Sequence, residues 1–312
     1  MINLDNYIGS FEEARKKKLL KTMDHIPAAK EYSGTYFINV GGESYFLKVA
    51  SSKEIFYKMY AELVSEEFSR LVNINSTKSN IVLFNYGNNK IKDYRYALMS
   101  KDYRKDNYTI YSNKEMYEYY ADYLESKGLY NKYFDDETNF DSLDLIWDSY
   151  YYHYIDYKDR DAIVENKVKE QVKRYIYRFY VMDRDFHLGN GETLDSEELS
   201  LTEEAPMFDM DETFNPLYLY RNNSMKGFGL DDPYEDFNEF LKYSDEGTLS
   251  LAKNMHDVLT KDALISTIKE VEREKDFKMP DEYKMTMIAL YSNHYDKVDE
   301  IIKENIKNKT RW

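Results

Sequence analysis

The stretch 183-DRDFHLGN-190 gathers two aspartates, a histidine and an asparagine directly behind an apolar run ending in Val181 and Met182. A solvated turn can have this composition, and so can a loop that performs chemistry. The surrounding sequence has to separate the two. The chain has 312 residues, enough for a sizeable core and two lobes. Its 43 Lys and Arg face 58 Asp and Glu, a formal charge of −15. That balance argues against a general nucleic-acid binder, whose surface must be basic to displace counterions. It leaves room for an anionic nucleotide, because a few cations and a metal reverse the local field. Without cysteine there is no disulfide, thiolate metal site or thiol nucleophile. The first residues, MINLDNYIGSFEEARKKKLL, lack the apolar core of a secretory signal. No run approaches the ~18–20 apolar residues that span a bilayer. A soluble cytoplasmic protein is expected, with the 33 tyrosines supplying much of the core area.

Outward from the loop, the pattern changes near residue 100. Before it, residues 6–22 read as a helix. Then 36-YFINV-40 and 44-SYFLKV-49 read as strands joined by Gly41-Gly42-Glu43, where Gly-Gly supplies the positive φ of a tight hairpin. Residues 53–74 carry Phe56, Met59, Leu63, Phe68, Leu71 and Val72 at helical spacing. Two further strands follow, 80-NIVLFNYG-87 and 94-YRYALMS-100. After residue 100, helices are expected over 111–128, 141–157 and 161–182, and several more between 233 and 306. The turn-rich stretch 183–232 lies between them. The expected architecture is α+β and two-lobed: residues 1–100 form a small antiparallel β lobe with one helix, and residues 101–312 a large, mostly helical lobe. In 117-YEYYADY-123 and 149-SYYYHYIDY-157 the spacing puts rings in a core with their hydroxyls outward.

Phosphoryl transfer gives these parts a common chemistry. In protein kinases an Asp accepts the proton of the substrate hydroxyl, and an Asn five residues on holds Mg²⁺. Asp185 and Asn190 have that spacing. A second Asp, after a short strand, bridges metal and phosphates; 205-APMFDMDETF-214 supplies Asp209. A strand lysine must meet the phosphates, and Lys48 alternates with apolar neighbours in 44-SYFLKV-49. A phosphate-covering turn is available ahead of it at Ser33-Gly34-Thr35. Each signal alone is common. Their order along the chain is hard to assemble by accident.

The loop 185-DFHLGN-190, the metal-loop segment 206-PMFD-209 and the helix 62-ELVSEEFSRLVNI-74 resemble the HipA-type serine/threonine kinases, a divergent branch of the protein-kinase-like fold. The resemblance covers roughly residues 30–215. It implies that Asp185 is the catalytic base, that His187 braces the loop, that Asn190 and Asp209 hold Mg²⁺, and that Lys48 contacts the ATP phosphates below Gly34. It implies Glu62 as the partner of Lys48. On a helical wheel, however, Glu67 falls on the apolar face, with Glu62 and Glu66 opposite, so the choice between Glu62 and Glu67 stays open. The adenine is expected beside the chain leaving 94-YRYALMS-100, where the backbone of Met99, Ser100 and Lys101 can meet it. Longer members of the family carry more chain ahead of the kinase strands, so this chain is similar to the shorter, stand-alone ones. The metal loop reads Asp-Met-Asp where kinases commonly have Asp-Phe-Gly, which makes Asp211 a possible second carboxylate. Asp183 competes with Asp185 for the catalytic role but stands seven residues from Asn190. Arg184 is open between a bond to Asp209 or a phosphorylated residue and a surface ion pair.

The expected function is therefore an ATP- and Mg²⁺-dependent kinase acting on a protein hydroxyl, capable of autophosphorylation, with no nucleic-acid partner and no membrane span. Phosphoinositide kinases share an Asp-x-His-x-x-Asn loop, so a lipid or small-molecule kinase is one alternative. A nucleotide-binding pseudokinase or scaffold is another, and a helical adaptor without a nucleotide site is a third. The joint presence of Lys48, Asp185, Asn190 and Asp209 favours an enzyme.

Overall fold

A computed structural model of the chain describes residues 2–17, 19–22, 35–50, 52–88, 90–104, 107–129, 143–184, 191–196, 201–210, 212–214 and 233–309. The single helix expected over 6–22 is instead β1 (Ile2–Asn3), α1 (Asp5–Ile8), α2 (Phe11–Lys16) and β2 (Leu20–Thr22). The break falls at Ser10, which starts α2 with a capping box: the Glu13 amide donates to Ser10 Oγ, and the Ser10 amide donates to the Glu13 carboxylate. β3 (Thr35–Val40) and β4 (Glu43–Val49) form the expected hairpin. Gly41 and Gly42 sit at φ of 63° and 90°, which side chains with a Cβ resist.

Next come α3 (Lys53–Arg70), β5 (Ser79–Asn85) and β6 (Tyr94–Lys101). The sheet order is β1-β5-β6-β4-β3-β2. It is antiparallel except for β1, which runs parallel to β5. Alternation sorts its side chains onto two faces. Leu47, Val49, Val82, Phe84, Ala97 and Met99 pack with Leu4 and Ala14 on one. Ile81 and Leu98 join the main core beside α3 on the other.

The rest of the chain adds β7 (Thr109–Ser112), α4 (Asn113–Ser126), α5 (Leu143–His153), α6 (Arg160–Tyr180), β8 (Glu192–Ser196), β9 (Leu201–Glu204), α7 (Pro233–Tyr243), α8 (Glu246–Val258), α9 (Lys261–Glu274) and α10 (Asp281–Lys309). The small sheet β7-β8-β9 went unread in the sequence, because its strands are short and polar and two of them lie within a stretch of turn residues. α3 packs between the large sheet and α9. Burial therefore extends around most of it, from Met59 to Ser69, with Glu62 and Glu66 among the buried residues. The tyrosines differ from expectation. Tyr150 and Tyr154 are buried and turn their hydroxyls inward, donating to Asn113 at 2.6 Å and to Asp195 at 3.1 Å. A buried phenol needs such a partner. Tyr119 on α4 and Tyr151 on α5 are exposed.

Candidate active site

The strand register places the first element of the site. Lys48 lies opposite Leu98, and Phe46 opposite Ser100, so these four share the sheet face that looks toward α3. Lys48 Nζ donates to Glu62 Oε2 at 3.0 Å and to Asp209 Oδ1 at 2.8 Å. Glu62 is nearly enclosed, with its side chain 4% exposed, whereas that of Asp209 is 39% exposed. Glu67, the other candidate partner, pairs with Arg70 one turn along the helix. The wheel misplaced these carboxylates because it assumes one buried stripe, and α3 is enclosed on several sides.

Asp209 is held from two directions. Its backbone sits at φ 55°, in the left-handed region that Asp adopts more readily than most residues with a Cβ. On one side, buried Arg178 of α6 spans two segments: one guanidinium nitrogen donates to the Asp183 carboxylate, the other to the Phe208 carbonyl at 2.7 Å. On the other side α3 grips the residues after Asp209. Lys58 pairs with Glu212, the Ser65 hydroxyl donates to Thr213 Oγ1 at 2.7 Å because the Thr213 proton goes to the Met210 carbonyl, and the Tyr57 hydroxyl donates to the Phe214 carbonyl at 2.9 Å. Asp183 is thus no rival for catalysis. It is fully enclosed and neutralised by Arg178, and its amide bonds the Arg178 carbonyl. The Arg184 amide donates to the Glu212 carbonyl at 3.2 Å, which ties the start of the loop to the segment after Asp209. Arg178, Lys58 and Glu66 are the contributors that sequence reasoning missed. The only signal was the unusual number of charged residues inside otherwise apolar helices.

Asp185, His187, Asn190, Gly34 and Asp211 lie outside the described residues. The described residues on either side of 185–190 are held in place. Asp183 holds one end. At the other, the Asn113 amide donates to the Gly191 carbonyl at 2.9 Å, and a Cβ on Gly191 would meet Asn113 Nδ2 at 2.2 Å, so a larger residue there would have to displace the Asn113 side chain. Gly34 directly precedes Thr35, the backbone partner of Lys48 in the β3–β4 ladder.

Met99 and Ser100 are paired on both sides, by β4 and by β5. Their backbone runs inside the sheet, so the expectation of a base meeting the backbone narrows to Lys101 and the chain beyond it. There Tyr103 stacks on Phe208 with ring centroids 5.8 Å apart, and its hydroxyl donates to Glu192. Burial pushes both groups up: the Tyr103 phenol well above its ordinary range and the Glu192 carboxyl above its own. Arg104, bonded to Asp102, lies 4.3 Å over the Phe37 ring and 5.3 Å over Phe46.

Glu66, one turn beyond Glu62, is fully buried. Its carboxylate accepts from Thr77 Oγ1 at 2.6 Å, from the Ser79 amide at 3.0 Å and from Ser79 Oγ. Ser79 Oγ is also bonded to Ser100 Oγ. Burial pushes the Glu66 carboxyl up to about 7, against the opposing bonds from Ser79 and Thr77 and the charge of Lys275. A folded-state pKa above the ordinary 4.5 stabilises the protein fully below that value, and the contribution fades as pH rises through about 7. Melting temperatures of wild type and Glu66→Gln should therefore diverge between pH 4.5 and 7, with wild type losing ground as pH rises. A difference that stays flat across this window would show that Glu66 titrates normally.

No protein-family model matches the chain, and no curated protein matches it in sequence. Solved structures do. The Helicobacter pylori proinflammatory kinase CtkA superposes with a TM-score of 0.58 over 88% of this chain and 95% of its own, at 13% identity. HipA of Shewanella oneidensis MR-1, solved in a toxin–antitoxin complex with HipB and operator DNA, gives a TM-score of 0.51 over 83% of this chain at 12% identity. The chain has the fold of the HipA-type kinases. It spans 60% of that HipA chain, against nearly all of CtkA. Within this kinase fold, β4 carries Lys48, α3 carries Glu62, and the segment leaving β9 carries Asp209. Among the described residues no helix is long and apolar enough to cross a membrane.

Proposed function

We propose that this chain is a cytoplasmic, ATP- and Mg²⁺-dependent protein serine/threonine kinase. The observation that carries the reading is the junction of Lys48 with Glu62 and Asp209, three residues from a strand, a helix and a distant loop. Phosphoryl transfer depends on positioning and on neutralising charge more than on covalent chemistry. Glu62 fixes the Lys48 ammonium, which then serves the α- and β-phosphates of ATP. Asp209 has a hard-oxygen donor set suited to Mg²⁺, and its side chain is open enough to be reached. Asn190, five residues after Asp185 as in the kinase pattern, is assigned as the second protein ligand. The metal neutralises phosphate charge when bound. Asp185 accepts the acceptor's hydroxyl proton, and His187 braces its loop. The base sits between residues 1–100 and 101–312, with Gly34 over the phosphates and Lys101 at its edge.

The kinase named among the structural neighbours supports this reading. The acidic balance of the chain supports a protein acceptor over an anionic lipid or nucleic acid. The test is incubation with radiolabelled ATP and Mg²⁺ beside Asp185→Ala. Label on the wild type alone is expected. If no label appears but ATP still raises the melting temperature, the acceptor is not a protein or the chain is a pseudokinase. If neither label nor shift appears, the kinase reading fails.

A further inference from the structure

Ser100 stands on the same sheet face as Lys48 and is half-buried, next to the Phe46 ring across the ladder. Its hydroxyl has Ser79 as its side-chain partner, and Ser79 is bonded to Glu66. The proton inventory of this chain is fixed by Glu66. An ionised carboxylate can only accept. Ser79 has one hydroxyl proton and gives it to Glu66, to which Thr77 Oγ1 and the Ser79 amide also donate. Ser79 Oγ can therefore only accept from Ser100. The single proton of Ser100 is drawn inward, and only its lone pairs remain toward the cleft. A protonated carboxyl at position 66 reverses the sense: Glu66 donates to Ser79, Ser79 to Ser100, and the Ser100 proton is released outward.

We propose that Glu66, acting through Ser79, sets Ser100 as a hydrogen-bond acceptor in the base pocket, so that the site selects adenine over guanine. The chemistry is that of the purine edge. Adenine offers an amino donor where guanine offers a carbonyl acceptor. A lone-pair surface accepts from the first and repels the second. The inference rests on the nucleotide-binding reading above. Glu66 is a positioning residue in it, since it reaches the base only through two hydroxyls.

Glutamine at position 66 imitates the protonated carboxyl. Oriented with its oxygen toward the Ser79 amide, it donates its amide protons to the Ser79 and Thr77 hydroxyls and turns the chain outward. The experiment compares equilibrium binding of ATP and GTP, each with Mg²⁺, to the full chain at pH 8 for wild type, Ser100→Ala, Ser79→Ala and Glu66→Gln. Wild type is expected to prefer ATP by about ten-fold, the worth of one well-placed hydrogen bond. Ser100→Ala and Ser79→Ala should narrow that ratio, and Glu66→Gln should narrow or invert it. General loosening of the fold weakens both nucleotides alike and leaves the ratio unchanged, which separates selection from stability. A wild type that binds both equally, or variants that keep the wild-type ratio, overturns the inference and leaves the nucleotide site standing. A wild type that binds neither nucleotide overturns the kinase reading, and this inference with it.

Discussion

On the proposed function, Lys48→Met should lower phosphoryl transfer by about 10²–10³-fold, the usual loss when one pre-positioned electrostatic donor is removed from a reacting site. The same substitution weakens the fold. Glu62 is almost fully enclosed and would lose the Lys48 ammonium that neutralises it. Breaking a buried pair by removing one partner costs about 3–5 kcal/mol. Lys48 is itself 26% exposed, so water relieves part of this and the lower end is expected. The double variant Lys48→Met/Glu62→Gln separates the two effects. It should recover much of the denaturant midpoint and none of the transfer rate. Full activity in Lys48→Met would remove Lys48 from the phosphate site.

Arg178→Met should cause the larger loss of stability. Arg178 and Asp183 are both enclosed, so the substitution takes the guanidinium charge from a buried carboxylate and the donor from the Phe208 carbonyl. About 3–5 kcal/mol is expected. At ~2 °C per kcal/mol for a chain of this size, the melting temperature falls by about 6–10 °C. Arg178→Lys keeps the charge without the fork that reaches two acceptors at once, and should recover only part. Calorimetry of the three proteins checks this. An unshifted Arg178→Met would mean that Asp183 is held by other partners, and that the Asp183 and Phe208 segments are not joined through this side chain.

The sequence was most readable where one rule acted alone. Alternation in 44-SYFLKV-49 and the Gly41-Gly42 turn defined a hairpin because local geometry decides hairpins. The order of Lys48, Glu62, Asp185, Asn190 and Asp209 pointed to a kinase fold because the spacing of those residues follows from the chemistry. Reading failed where tertiary contact overrides local pattern. Glu66 and Glu67 exchanged environments because α3 is wrapped by both the sheet and α9, which no single-helix wheel contains. Asp183 drew attention as an acid in a polar loop, but its partner Arg178 sits in the preceding helix, where it reads as an ordinary surface charge. The strands β8 and β9 are polar because they pair with one another beside helices, and polar strands resemble turns.

Near Ser76 and Met207 the chain makes a small reciprocal exchange: the Thr77 amide donates to the Met207 carbonyl, and the Met207 amide donates to the Asn75 carbonyl. The two partners stand 130 positions apart in sequence. Contacts of such separation form only after a large loop has closed, so they belong to the late, slow part of folding. During synthesis, Lys48 and Glu62 leave the ribosome long before Asp209 exists to meet them. A nascent chain therefore lacks the junction of Lys48 with Glu62 and Asp209 until its second half has emerged.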